Sequence, residues 1–104
     1  MTAHRLAALA DVAPGTAARF DVGRHRICVV RIGDEFFAVC DVCTHQNISL
    51  SEGEVHCDTA EIECWKHGSA FSLRTGEPSS LPATKSVPRY DVSVRDGDLF
   101  VEIA

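Results

Sequence analysis

A chain of 104 residues with a formal charge of −5 has room for one domain built on one modest core. Its 45% hydrophobic and 24% charged residues belong to a folded globular protein, and the acidic balance excludes a role that depends on binding nucleic-acid phosphates. No apolar run approaches the about 20 residues that cross a bilayer, and residues 1–10 lack the apolar stretch of an export signal, so a cytoplasmic protein without a membrane anchor is expected.

In chain order, most of the sequence reads as short strands. Arg5 to Ala10 is rich in Ala and Leu and favours helix on propensity alone, but strand is the preferred reading. Asp11 to Gly15 makes a turn. Thr16 to Val22 and Arg26 to Ile32 are strands; the second runs through Gly33-Asp34 into Glu35 to Cys40, which predicts a hairpin from Ile27 to Cys40, buried on both faces near its middle. Short strands are predicted around Glu54-Val55, at Ala60 to Glu63 and at Ala70 to Leu73. Arg74 to Pro88, with its prolines and Gly76, reads as a long loop. Arg89 to Arg95 and Asp98 to Ile103 flank Asp96-Gly97, a strong hairpin signal. The pattern predicts an all-β domain, residues 1–104, with a metal-binding insertion at about 41–72.

Chemistry concentrates in two short motifs, Cys43-Thr44-His45 and Cys64-Trp65-Lys66-His67. Each offers one thiolate and one imidazole. A zinc finger usually presents its two Cys first and its two His after them, whereas here the types are interleaved. Two such loops can each give one ligand to each iron of a [2Fe–2S] cluster, one iron taking sulfur and the other nitrogen. A structural zinc site is the serious rival, because two Cys and two His also suit zinc.

The remaining Cys and His residues carry weaker signals. Five cysteines, an odd number, argue against a fully paired disulfide framework and fit a reducing compartment. Cys40 and Cys43 form a Cys-x-x-Cys, but no helix follows to activate a thiol. A four-cysteine site with Cys57 and Cys64 would have to span strand-like sequence. Cys28 reads as core, Cys40 as the inward residue of a strand end, and Cys57 as the most reactive thiol, in a surface turn. His4, His25 and His56 have no metal-ligand partner at useful spacing and read as surface residues. No phosphate loop, nucleophile elbow or convincing carboxylate pair is present.

With these motifs in view, the chain resembles the Rieske-type ferredoxins, the small electron carriers of multicomponent aromatic-ring dioxygenases. The resemblance spans nearly the whole chain. It includes Gly33 to Val39 leading into Cys43-Thr44-His45, Leu50-Ser51-Glu52-Gly53, Glu63 to Phe71, the Thr75-Gly76-Glu77 turn and the closing hairpin. It implies a Rieske-type antiparallel β-sandwich with an inserted cluster-binding subdomain. It also implies one [2Fe–2S] cluster held by Cys43, His45, Cys64 and His67, with the imidazoles on the outer, exposed iron. Such a protein is not itself an enzyme. It is a soluble, monomeric one-electron carrier that docks transiently on a flavin-dependent ferredoxin reductase and a terminal oxygenase. Related small Rieske proteins also serve other pathways, such as iron–sulfur assembly, and a zinc-stabilised interaction module is the non-redox alternative.

Departures from the wider family bear on the potential. Rieske proteins of cytochrome bc complexes join an extra Cys in each ligand loop as a disulfide; Ile48 and Lys66 look to occupy those places here. Of the Ser and Tyr that hydrogen-bond the cluster region in those relatives, this chain keeps Ser69 and has Phe71 in place of the Tyr. With one donor fewer and no disulfide, the expected potential lies in the lower part of the Rieske range of roughly −150 to +300 mV. It is expected to fall at alkaline pH as the imidazole ligands lose protons. Trp65 and Lys66, beside the ligands, are expected to form the docking rim.

Overall fold

The computed structural model describes residues 2–41, 49–64, 69–78 and 86–103. Among these, six strands form one antiparallel sheet: β1 (Thr2–Ala8), β2 (Thr16–Val22), β3 (His25–Ile32), β4 (Glu35–Cys40), β8 (Arg89–Arg95) and β9 (Asp98–Ile103). Their spatial order is β1-β9-β8-β4-β3-β2. A second antiparallel sheet is built from β5 (Glu54–His56), β6 (Glu61–Glu63) and β7 (Ala70–Ser72), in that order. The large sheet curls around one core and the small sheet covers another.

β3 is the wall between the two cores. Its residues Ile27, Cys28, Val29 and Val30 all have 0% exposure, so both faces of the strand are covered. Cys28 and Val30 face the small sheet, packing with Phe37, Val39, Leu50, Ile62, Cys64 and Phe71. Ile27 and Val29 face the inside of the curl with Val12, Ala38, Leu99, Val101 and Ile103. The period of two along a strand divides the run this way, as the continuous apolar stretch predicted.

Turn chemistry sets the hairpins. Gly33 takes φ +60° between β3 and β4, pairing Cys28 with Val39 and Val30 with Phe37. Asp96 and Gly97 both have positive φ, 51° and 79°, the conformation that matches the twist of two closely paired strands.

Two expectations shift at their edges. The Ala-rich start is a strand as far as Ala8, because pairing with β9 from Thr2↔Ile103 to Ala8↔Asp98 overrides helix propensity. Leu9–Asp11 is then a 3-10 turn in which the Asp11 carboxylate accepts the Ala8 N–H at 3.1 Å. Ala60 has φ +55° and belongs to the turn before β6, its carbonyl accepting the Leu73 N–H at 2.8 Å. Of the predicted 74–88 loop, residues 79–85 lie outside the described residues. Its described ends are drawn together by hydrogen bonds from Val87 N to the Gly76 carbonyl (2.8 Å) and from Gly76 N to the Ser72 carbonyl (2.7 Å).

Candidate metal centre

Both ligand motifs begin where strands of the second core end. Cys43 and His45 lie in the 42–48 segment that follows β4, and His67 follows β6. These three residues, with Trp65, Lys66 and Ile48, lie outside the described residues. What the structure describes is the root of each loop and one of the four predicted ligands.

That ligand is Cys64. It is fully buried, has no disulfide partner among the described residues, and packs in the core cluster shared by β3, β4 and the small sheet. Its backbone N–H donates to the Ser69 carbonyl at 2.7 Å, so the residues on either side of 65–68 are held together. Ser69 is itself fully buried. Phe71, two positions on, is fully buried too and brings no hydroxyl to the region.

The first loop is closed differently. Asp41, 1% exposed, stands at its start and Ser49 at its end. The Asp41 carbonyl accepts the Leu50 N–H at 2.6 Å. Its carboxylate accepts the Ser51 N–H at 2.8 Å through Oδ1 and the Ser49 hydroxyl through Oδ2. Arg19 Nε lies 3.9 Å from Oδ2 while gripping Asp21 at 3.0 and 3.2 Å. Sequence reading missed Asp41; its one signal was an acid at a strand end just before a ligand motif and a Ser-x-Ser just after it.

The two roots lie side by side. Gly53, which ends the 3-10 turn Leu50–Glu52, sits against the Glu63 carbonyl, and Leu50 shares the core cluster with Cys64. The 42–48 and 65–68 segments therefore spring from neighbouring points. A buried thiol on the core side and a donor set of two Cys and two His fit a cluster held unequally by sulfur and nitrogen.

The other thiols fall nearly as expected. Cys28 has no exposed surface, and burial, aided by the charges of Asp41 and Cys40, pushes its thiol pKa up, so it stays protonated and unreactive. Cys57 is exposed. Cys40, expected to point inward, is only half-buried, because it stands at the rim where β4 ends. The histidines differ more. His56 Nε2 lies 3.2 Å from Glu63 Oε1, and Glu54 joins them in a group whose donor atoms lie within 4.8 Å of one another, on the outward face of the small sheet. Sequence spacing missed this because Glu63 reaches His56 across a strand pair. His25 Nδ1 is 3.2 Å from the Tyr90 hydroxyl, with the two rings edge to face.

Comparison with known proteins agrees with this construction. The Rieske [2Fe-2S] domain model matches residues 2–91. Ferredoxin CarAc of Metapseudomonas resinovorans is 42% identical over 98 residues, covering 93% of this chain and 90% of that protein. The ferredoxin of carbazole 1,9a-dioxygenase from Nocardioides aromaticivorans IC177 superposes with a TM-score of 0.93 at 38% identity, covering 97% of both chains. A complex of reduced oxygenase and oxidised ferredoxin in carbazole 1,9a-dioxygenase contains a chain that matches with a TM-score of 0.87 at 41% identity, covering 95% of this chain and 91% of that one. Fold, motif and relatives agree: the chain belongs to the Rieske [2Fe–2S] family and is a ferredoxin of the kind found in aromatic dioxygenase systems, an electron carrier with a Rieske-type cluster and not itself a catalyst.

Proposed function

We propose that this ferredoxin carries single electrons from a flavin-dependent reductase to a terminal oxygenase, with its cluster held by Cys43, His45, Cys64 and His67. The observation that carries the ligand assignment is the place of Cys64, buried in the core and hydrogen-bonded to Ser69, with Glu63 beside it lying against Gly53, close to the end of the other ligand segment. The cluster supplies one reversible electron. The chain does the rest: the two thiolates anchor from the core side, and the two imidazoles, on the loops, form the side from which the electron leaves. Trp65 and Lys66, between Cys64 and His67, form the docking rim. The oxygenase partner is supported by the carbazole dioxygenase complex, in which a similar ferredoxin is bound to an oxygenase. Residues 1–104 act as one domain, a cytoplasmic monomer, with 41–72 as its cluster-binding part. Among the described residues no helix is long and apolar enough to cross a membrane.

The test is spectroscopic. Purified protein should contain iron and acid-labile sulfide in equal amounts and give a Rieske EPR signal on dithionite reduction. His45→Ala and His67→Ala should each abolish that signal. Colourless protein with stoichiometric zinc, or a chromophore untouched in both variants, overturns the assignment. Turnover of a candidate oxygenase that requires both this protein and a flavin reductase tests the partners.

A further inference from the structure

Among the described residues only two polar side chains are buried, Asp41 and Ser69. A buried carboxylate is costly unless hydrogen bonds or a counter-charge compensate it. Asp41 is compensated from across the first ligand loop: Oδ1 takes the Ser51 N–H at 2.8 Å, Oδ2 takes the Ser49 hydroxyl, and the backbone adds Leu50 N to the Asp41 carbonyl at 2.6 Å. The Ser49 and Ser51 hydroxyls are themselves 2.8 Å apart. From the other side, Asp41 N–H donates to the Arg26 carbonyl at 2.9 Å, which fixes the group to β3. The two ends of residues 42–48 are thus tied to each other and to the wall between the cores.

We propose that Asp41 is the positioning residue of the first ligand loop: its carboxylate locks the loop's two ends together, and its fixed negative charge holds the cluster's potential down. This rests on the assignment of Cys43 and His45 as ligands. The first half follows from the geometry. Ligands on a loop whose ends are held lose less entropy on binding, and groups that orient ligands govern how firmly metal is kept. The second half follows from burial. A buried negative charge opposes an added electron nearby, an effect that Arg19, 3.9 Å away at Nε and 41% exposed, offsets only in part.

Three variants separate lock from charge. Asp41→Asn keeps both links, since its carbonyl oxygen can accept from Ser51 and its amide can donate to Ser49, but it removes the charge. Asp41→Ala removes both links and the charge. Ser49→Ala removes one link and leaves the charge. In purified holoprotein challenged with chelator, Asp41→Ala, which loses two hydrogen bonds to a charged group, should lose its chromophore more than about tenfold faster than wild type, about tenfold being the effect of one such bond. Ser49→Ala should fall between, and Asp41→Asn should stay near wild type. Exchange of the Ser51 amide should accelerate in Asp41→Ala and not in Asp41→Asn. Voltammetry should show the midpoint potential of Asp41→Asn shifted upward.

Wild-type chromophore loss in Ser49→Ala overturns the lock, and so does unchanged Ser51 exchange in Asp41→Ala. An unshifted potential in Asp41→Asn overturns the role of the charge. Should Asp41→Ala fail to fold, the other two variants decide both points. Should the wild type show no Rieske signal, the ligand assignment fails while the amide exchange still reports on the lock.

Discussion

Gly53 packs so tightly against Glu63 that a Cβ built on it would stand 1.8 Å from the Glu63 carbonyl oxygen. That oxygen belongs to β6, one residue before Cys64, so the first loop's root and the second's are in contact only because position 53 has no side chain. Gly53→Ala must push the two backbones apart. A loss of about 1–3 kcal/mol is expected from such overpacking, read as a fall in melting temperature of roughly 4–8 °C per kcal/mol. Because the strain falls beside a ligand, the chromophore should also be lost earlier than the fold in a thermal scan. A melting temperature equal to wild type would show that the contact relaxes freely.

Ser69 offers a second test near the cluster. It is fully buried, and its carbonyl accepts the Cys64 N–H. Its backbone contribution survives Ser69→Ala, so that variant removes the hydroxyl alone. Donors to the cluster region stabilise the reduced, more negative state, and the midpoint potential should therefore fall, with the Rieske EPR signal retained. An unchanged potential would assign the hydroxyl a purely structural part.

Thiol chemistry should follow burial. Cys57 is exposed and should be alkylated first in native protein; Cys28, fully buried with its thiol pushed upward, should react only on unfolding. Mass spectrometry of partially labelled protein distinguishes them. Equal labelling rates at the two positions would contradict the burial described here.

The acid limb of stability has one identifiable contributor at β2. The hydrogen bond from Arg19 holds the Asp21 carboxyl below its usual value; partial desolvation opposes this, and the charges of Arg19 and Arg26 add to it. A carboxyl lowered in the folded state stabilises above its unfolded value and loses that contribution as pH falls through the folded one. The pair is solvent-exposed, so the effect should be small. Asp21→Asn should melt slightly below wild type near neutral pH, and the gap should close in acid below the usual carboxylate range. A gap that persists there would assign the loss to packing.

Much of this arrangement is legible in local sequence because local physics decides it. Gly33-Asp34 and Asp96-Gly97 supply the positive φ that hairpins require, and the unbroken Ile27 to Val30 run can only belong to a strand covered on both sides. The interleaved Cys and His suggest the cluster, although ligand chemistry alone leaves zinc as a rival and the family resemblance tips the reading. Features that depend on distant neighbours were hidden. Ala60, read as the start of a strand, turns left-handed ahead of β6, and His56 gains Glu63 only through the β5–β6 register; the strand at the start of the chain, preferred over its helix propensity, is fixed by pairing with β9. Asp41 reads as one more surface acid until residues 49–51 fold back onto it.

The two-sided burial of β3 carries a hazard that hydrophobicity cannot police. A slip of one residue would exchange Ile27 and Val29 for Cys28 and Val30 between compartments, and either set is apolar enough to fill either space. Alignment of this partition must therefore be enforced from its ends, by the bend at Gly33 and by the Asp41–Arg26 link, rather than by any preference of oil for oil.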